Sequence, residues 1–309
     1  MDIKNNCKLI KRIFKTTKNP FDVLLYRAGI KNHLIIKTKG YGTFNIPEGY
    51  DNSFVFNLIY SYIVNIPENI KPTSEETLEF ETFIQNVLND ENKTINVNGI
   101  NFLNNKTVSV LSERFTDKYS IQLDVEGKVV LDLGANILDT ALGFVQRGAK
   151  KVYSYEALPS TYKIAQDNLA LNKQYADKIM LFNKAISKDE IFEIPDEDEV
   201  FSAVASSYNS KANKKVYQIE TITVNQIIDM IPEQAKLMKM DIEGSEFELI
   251  DDTHWDYFDE LLIEYHSFLT GKSHTIITDK LKQLNFNVEV IPTSYYDIDD
   301  VGLIHATKK

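Results

Sequence analysis

With 309 residues, 43% of them hydrophobic and 26% charged, the chain is long enough to bury one large core or two modest ones, and two are expected. A formal net charge of -11 disfavours any partner gripped through phosphates, because counterion release needs a basic face, so nucleic acid is not an expected ligand. A single cysteine, Cys7, excludes an intramolecular disulfide, no apolar stretch approaches the about 18 residues needed to cross a bilayer, and Met1 is not followed by the apolar core of a signal peptide, so a cytoplasmic protein is expected. In the first thirty residues, Lys8, Lys11, Arg12, Lys15 and Lys18 alternate with Leu9, Ile10, Ile13 and Phe14. That pattern predicts an amphipathic helix packed on its own domain rather than a membrane anchor. Leu34-Ile35-Ile36-Lys37 follows, then loop signals at Gly40, Gly42 and Pro47. Thr73 and Glu76 form a capping box for a helix whose apolar positions are Leu78, Phe80, Phe83, Ile84, Val87 and Leu88. A hairpin spans Ile95 to Phe102, its Asn98-Gly99 turn setting Val97 against Ile100 and Ile95 against Phe102. Residues 1–115 carry no catalytic signature and are expected to form an α+β accessory domain or cap, with a homodimer contact as another use.

From about residue 116 strands and helices alternate, which predicts an α/β domain over 116–309: a doubly wound, mostly parallel Rossmann-like sheet. Val129-Val130-Leu131-Asp132-Leu133 is a buried strand, Gly134 opens a turn, and helical spacing resumes at Thr140. The next strand, Lys151 to Tyr155, ends on Glu156, a carboxylate 22 positions after Gly134, about where such sheets hold the acid that takes a ribose diol. The turn lacks the three glycines of a dinucleotide site: Gly134 is followed by Ala135, Asn136, Ile137, Leu138 and Asp139, and an acid near the helix N-terminus competes with a diphosphate. S-adenosylmethionine, with its zwitterionic tail, is therefore expected over a nicotinamide nucleotide, with a plain structural βαβ unit as the third reading.

Pro159 starts a helix that runs to Asn172, and Ile179 to Phe182 is the third strand. Residues 187–216 look irregular. Their acidic run Asp196-Glu197-Asp198-Glu199 is expected to be a solvated turn, and no histidine lies nearby to activate the serines of 202–207. Tyr217 to Val224 alternates as a strand, Asn225 to Ile231 is a short helix, and Lys236 to Met240 is the fourth core strand, ending on Asp241. Gly244-Ser245-Glu246 is expected to open a helix through Ile250, and Leu261 to Tyr265 delivers His266 to the same sheet edge. A last helix and two strands, Phe286 to Ile291 and Leu303 to Thr307, close the sheet.

Asp132-Leu133-Gly134-Ala135-Asn136-Ile137, Gly148-Ala149-Lys150-Lys151-Val152 with Glu156, Lys239-Met240-Asp241-Ile242-Glu243-Gly244-Ser245-Glu246, and Ile263-Glu264-Tyr265-His266 together resemble the FkbM-type S-adenosylmethionine-dependent methyltransferases over roughly residues 120 to 309. The resemblance implies a cofactor site at Asp132, Gly134, Ala135, Asn136, Glu156, Ala157, Ala185, Ile186 and Asp241, with Ala185 and Ile186 beside the adenine. It also implies O-methylation of a hydroxyl on a small-molecule or glycan-like acceptor. The family usually has Gly where this chain has Leu138, whose side chain is expected to narrow the methionine pocket. Asp241, Glu243 and His266 are the candidate catalytic groups, His266 being best matched to neutral pH as a base. Structural readings stand beside these: Asp241 and Glu243 as caps of the following turn, His266 as a hydrogen-bonded strand end. A metal-free site is expected, with a divalent cation on Asp241, Glu243 and His266 as the lesser reading. A nicotinamide-dependent oxidoreductase and a silent cofactor-binding scaffold are the alternative functions.

Overall fold

The computed structural model describes residues 10–309 except 12, 41, 47, 49–57, 60–61, 64–65, 67–70, 90–92, 116–122, 196–215, 252 and 293–296. The acidic run at 196–199, the serines of 202–207 and part of the basic N-terminal segment lie outside the described residues. The chain forms two compact units, Met1–Gln122 and Leu123–Lys309. Among the described residues no helix is long and apolar enough to cross a membrane.

In the first unit, helix α1 (Pro20–Arg27) starts on a proline whose fixed φ suits a first turn. Strands β1 (Leu34–Lys37) and β2 (Thr43–Ile46) pair antiparallel with alternating burial. Helix α2 (Ser74–Val87) has the expected capping box: Thr73 Oγ1 accepts from the Glu76 amide at 3.2 Å and Glu76 Oε2 accepts from the Thr73 amide at 2.6 Å. Phe80, Phe83, Ile84 and Val87 are buried. Leu78 instead faces solvent, 62% exposed, because two residues before Phe80 is about 200° around the helix. Strands β3 (Thr94–Val97) and β4 (Ile100–Leu103) form the expected hairpin, with Val97 opposite Ile100 and Ile95 opposite Phe102, all four buried. A 3-10 helix, Lys106–Phe115, follows.

The second unit runs β5 (Val129–Leu133), α3 (Asp139–Gln146), β6 (Lys151–Tyr155), α4 (Pro159–Leu171), β7 (Ile179–Phe182), β8 (Ala185–Ile186), β9 (Ile191–Pro195), β10 (Val216–Ile222), α5 (Val224–Met230), β11 (Leu237–Met240), β12 (Glu260–His266), α6 (Ser267–Thr270), α7 (Thr275–Gln283), β13 (Phe286–Pro292) and β14 (Val301–Lys308). Seven strands make the main sheet in the order β13-β14-β12-β11-β5-β6-β7. Strands β7, β6, β5, β11 and β12 are parallel, and β14 lies antiparallel between β12 and β13. This is the expected α/β class, a mostly parallel Rossmann-like sheet. Leu131, Leu133, Met238, Met240, Leu261 and Ile263 carry the core of the central strands. Strand β9 falls in the stretch read as irregular and becomes a strand by pairing with β10.

Residues 245–250 do not form the expected helix. Ser245–Phe247 is a single 3-10 turn, entered through positive φ at Glu243 and Gly244, 54° and 101°, and the Glu246 carboxylate turns back to accept from the Gly244 amide at 2.8 Å.

From β5 the chain steps outward through β6 and β7, then crosses to β11 on the other flank. The reversal leaves a crevice at the carboxyl edge between β5 and β11. The turn after β5 is tightly held. The amides of Gly134 and Ala135 both donate to the Tyr155 carbonyl, at 3.0 and 2.9 Å, and Asp241 N donates to Leu133 O at 2.9 Å. Asn168 of α4 donates its side-chain amide to Ile137 O at 2.9 Å.

Leu138, which caps α3, has φ +73 and is fully buried. The left-handed conformation accounts for the family's preference for Gly at this place, since a Cβ is strained there. Leu138→Gly relieves that strain, roughly 1–2 kcal/mol, but removes a buried side chain whose truncation typically costs about 2–5 kcal/mol. The variant is therefore expected to be less stable by up to about 4 kcal/mol in chemical denaturation; greater stability than the parent would mean that strain outweighs burial at this position.

Candidate active site

The crevice is lined by Gly134, Asn136, Glu156, Ala157, Ala185, Ile186, Asp241 and Glu243, along with apolar side chains such as Leu158 and Phe192. The fold thus brings to one place most of the residues singled out from the sequence. Its volume is about 110 Å³, below the ~300–1,000 Å³ usual for sites that swallow a ligand whole, so an extended ligand would also have to run along the open rim. Leu138, Asp132, Ala135 and His266 are not among the lining residues. Leu138 does not narrow the crevice, because its side chain goes into the interior beneath the turn. Ala135 contributes its amide to the turn, with its methyl buried.

Gly134 is required by geometry: at φ +84, a Cβ here would sit 1.7 Å from the Asp241 carbonyl oxygen. Across the turn, Glu156 is buried and accepts two backbone amides, Asn136 N on Oε2 at 2.9 Å and Leu158 N on Oε1 at 2.8 Å. Each carboxylate oxygen has a second lone pair, so two acceptor sites remain. Burial pushes its pKa up to about 7 against the pull of those two amides and of Lys239. Ala185, Ala157, Leu158 and Phe192 pack into one apolar cluster beside it. Asn183 on the β7–β8 connection donates to the carbonyls of Glu156 and Ala157, at 2.8 and 2.9 Å, holding this wall to the end of β6.

Asp132 lies beneath the crevice, fully buried, accepting from Ser154 Oγ at 3.1 Å. Lys239, one strand over, donates to Gly134 O at 2.8 Å and stands 3.8 Å from Asp132 and 3.6 Å from Asp241. Burial raises Asp132 to about 6 although Lys239 and Ser154 pull it down. Burial alone would lower Lys239, but Asp241 and Asp132 hold it above its ordinary value, as a cation. Sequence reasoning gave Lys239 no role. Its signal was a lone charge inside the apolar run Leu-Met-Lys-Met.

On the other side of Asp241, His266 is withdrawn behind Glu243. Nε2 lies 3.4 Å from Glu243 Oε2, and Nδ1 lies 3.2 Å from Glu246 Oε1. Burial would lower the His266 pKa, but Glu246, Asp241 and Glu243 raise it to about 10. Burial and the Asp241 charge raise Glu243. The environment thus moves His266 out of the neutral range that recommended it as a base. Glu246, in the turn after β11, is fully buried and takes three donors: Gly244 N at 2.8 Å, His266 N at 2.6 Å and the His266 ring. Glu246→Ala strands those donors. At about 1–3 kcal/mol for each unsatisfied group the loss should exceed about 3 kcal/mol, with Glu246→Gln milder because an amide oxygen survives. Urea denaturation would show this; equal stability of both variants would deny Glu246 its positioning role.

The family described as "Methyltransferase FkbM domain" matches residues 132–288, half of the chain. No match was found among curated proteins. Among solved structures, methyltransferase FkbM from Methylobacillus flagellatus KT is 11% identical, with 82% of this chain and 60% of that chain covered and a TM-score of 0.39. Precorrin-6y C5,15-methyltransferase from Geobacter metallireducens GS-15 is 16% identical over 71% of this chain and 96% of that chain, TM-score 0.37. M. capricolum TrmK, solved with S-adenosyl-homocysteine, is 12% identical over 59% of this chain and 62% of that one, TM-score 0.36. Scores of this size assign no residue and no substrate. It is the family match, spanning the glycine turn of β5, the end of β11 and the whole of β12, that settles kinship: the chain belongs to the FkbM methyltransferase family.

Proposed function

We propose that the protein transfers a methyl group from S-adenosylmethionine to a hydroxyl of a small-molecule or glycan-like acceptor. One observation carries the reading: a single-glycine turn and a buried strand-end carboxylate with spare lone pairs face the same crevice. Glu156 suits a ribose diol, and the apolar cluster around Ala185 suits an adenine face. The turn offers no glycine-rich cradle for a pyrophosphate, which weighs against a nicotinamide nucleotide.

When bound, the cofactor supplies an electrophilic sulfonium methyl. The protein's part is placement, and orientation of two reactants is worth about 7–11 kcal/mol, more than one base provides. Asp241 and Glu243 line the crevice and are the groups positioned to take the acceptor's proton. His266 is set back, so we assign it to holding Glu243 in place. Thermal shift tests the cofactor: S-adenosylmethionine and its demethylated product should both stabilise the protein, and NAD should not. Tritiated methyl transfer into a metabolite extract and a glycan pool then tests the acceptor. Stabilisation by NAD alone would overturn the reading.

Glu156→Ala should weaken both S-adenosyl ligands by about 10- to 1000-fold, since one or two hydrogen bonds to a charged group are lost at roughly 1.5–3 kcal/mol each. The reacting methyl is remote from this contact, so the two ligands should suffer alike. The same carboxyl predicts a pH signature. Its pKa rises from 4.5 unfolded to about 7 folded, so the folded state holds the proton more tightly. Its contribution to stability is present below pH 4.5 and is lost as pH rises to about 7. Glu156→Gln should flatten that stretch of the ligand-free stability profile, and an unchanged profile would contradict the burial of Glu156.

A further inference from the structure

We infer that Asp241, Glu243 and His266 form a binding site for one divalent cation of the Mg²⁺/Mn²⁺ class, on the acceptor side of the crevice. Its use rests on the proposed methyl transfer; its geometry does not. Each residue offers one ligand atom, and the three atoms lie within 4.8 Å of one another. Ligands about 2.1 Å from an octahedral cation stand at most ~4.2 Å apart across it, so a closure of a few tenths of an ångström completes the site.

Clustered acids alone are common. Here two further observations point to a cation. The first is the imidazole, whose side chain is only 7% exposed. Its Nδ1 faces Glu246 Oε1, and that carboxylate is fixed by two backbone amides, His266 N on Oε1 and Gly244 N on Oε2. A cation at the cluster would displace the proton from Nε2, which lies 3.4 Å from Glu243 Oε2, and leave the Nδ1 proton on the Glu246 carboxylate. A carboxylate behind the ring is how metal-binding histidines are oriented. The second observation concerns the oxygens. Asp241 Oδ1 and Glu243 Oε2 are both shut off from solvent and accept no hydrogen bond, an unfavourable state that a cation would relieve. Two carboxylates and one imidazole form a mostly hard donor set, which suits Mg²⁺ or Mn²⁺ over thiolate-seeking metals. Asp241 and Glu243 also line the crevice, so open coordination positions face the place where an acceptor must enter. A cation there would take the acceptor hydroxyl as a ligand and lower its pKa, so that the oxygen attacks the methyl while its proton passes to bulk water at the open rim and Asp241 holds the cation.

The competing account is an imidazolium paired with its two carboxylate neighbours, which needs no metal. The full chain, stripped with a chelator, should be titrated with MnCl₂ by calorimetry and by the paramagnetic resonance of free Mn²⁺. One saturable site is expected. Asp241→Asn and His266→Gln should each weaken it by at least about tenfold, with circular dichroism confirming the fold. Should His266→Gln not fold, Asp241→Asn decides, since Asp241 is partly exposed and its amide is isosteric. No saturable binding below about 1 mM, or parental affinity in the folded variants, would overturn the site. Thermal shift of the stripped parent with S-adenosylmethionine separates the two proposals. A shift without Mn²⁺ binding sinks the cation alone, whereas Mn²⁺ binding without a shift sinks the cofactor reading alone.

Discussion

The backbone of Asp241 passes so close to Gly134 that no side chain fits between them, and the geometry of the crevice follows from that contact. A Cβ at 134 would meet the Asp241 carbonyl at 1.7 Å. The same junction is tied by Asp241 N to Leu133 O and by Lys239 Nζ to Gly134 O. The end of β11 is thereby registered against the turn after β5. That registration carries Asp241 and Glu243 to the rim and leaves Asp132 beneath it, where a buried aspartate and lysine share one layer of neighbouring strands.

Around this junction the protein concentrates negative charge. Asp132, Asp241, Glu243, Glu246 and Glu264 are gathered near two cationic groups, Lys239 and His266. Such an arrangement is unfavourable for stability alone, because each carboxylate loses hydration and repels its neighbours. Proteins retain such groups mainly where they act on a ligand. The charge is also divided by place. Glu156 sits on the β6 side, satisfied by two amides. The Asp241, Glu243 and His266 group sits on the β11–β12 side, where acceptor oxygens of the protein go unsatisfied. A two-sided crevice of this kind fits a reaction that joins a cofactor to a separate acceptor.

Much of this was legible in the chain itself. The run Val129 to Leu133 could only be a buried strand, the lone Gly134 marked its turn, and Glu156 fell at the strand end that the spacing demanded. Thr73 with Glu76 announced a helix start, and Asn98-Gly99 fixed a hairpin register residue by residue. Leu78 shows the limit of counting apolar positions, since a helix face is an angle, and 62% of that side chain lies in water. Strand β9 was illegible because its strand character comes from β10, which stands in the sequence beyond residues 196–215.

By itself, then, the sequence determined the alternation of strand and helix, the turn that only glycine can make, and the order of the acids along the chain, because backbone sterics and hydrophobic period act over a few residues. Only the tertiary structure decided what those acids do. It sent Leu138 inward, placed Asp132 under the crevice, and surrounded His266 with Glu243 and Glu246. It also turned Glu246 from a helix-end acid into the buried acceptor of three donors. Burial, desolvation and charge–charge contact join residues distant in the chain, and those fields arise only when β5, β11 and β12 lie side by side.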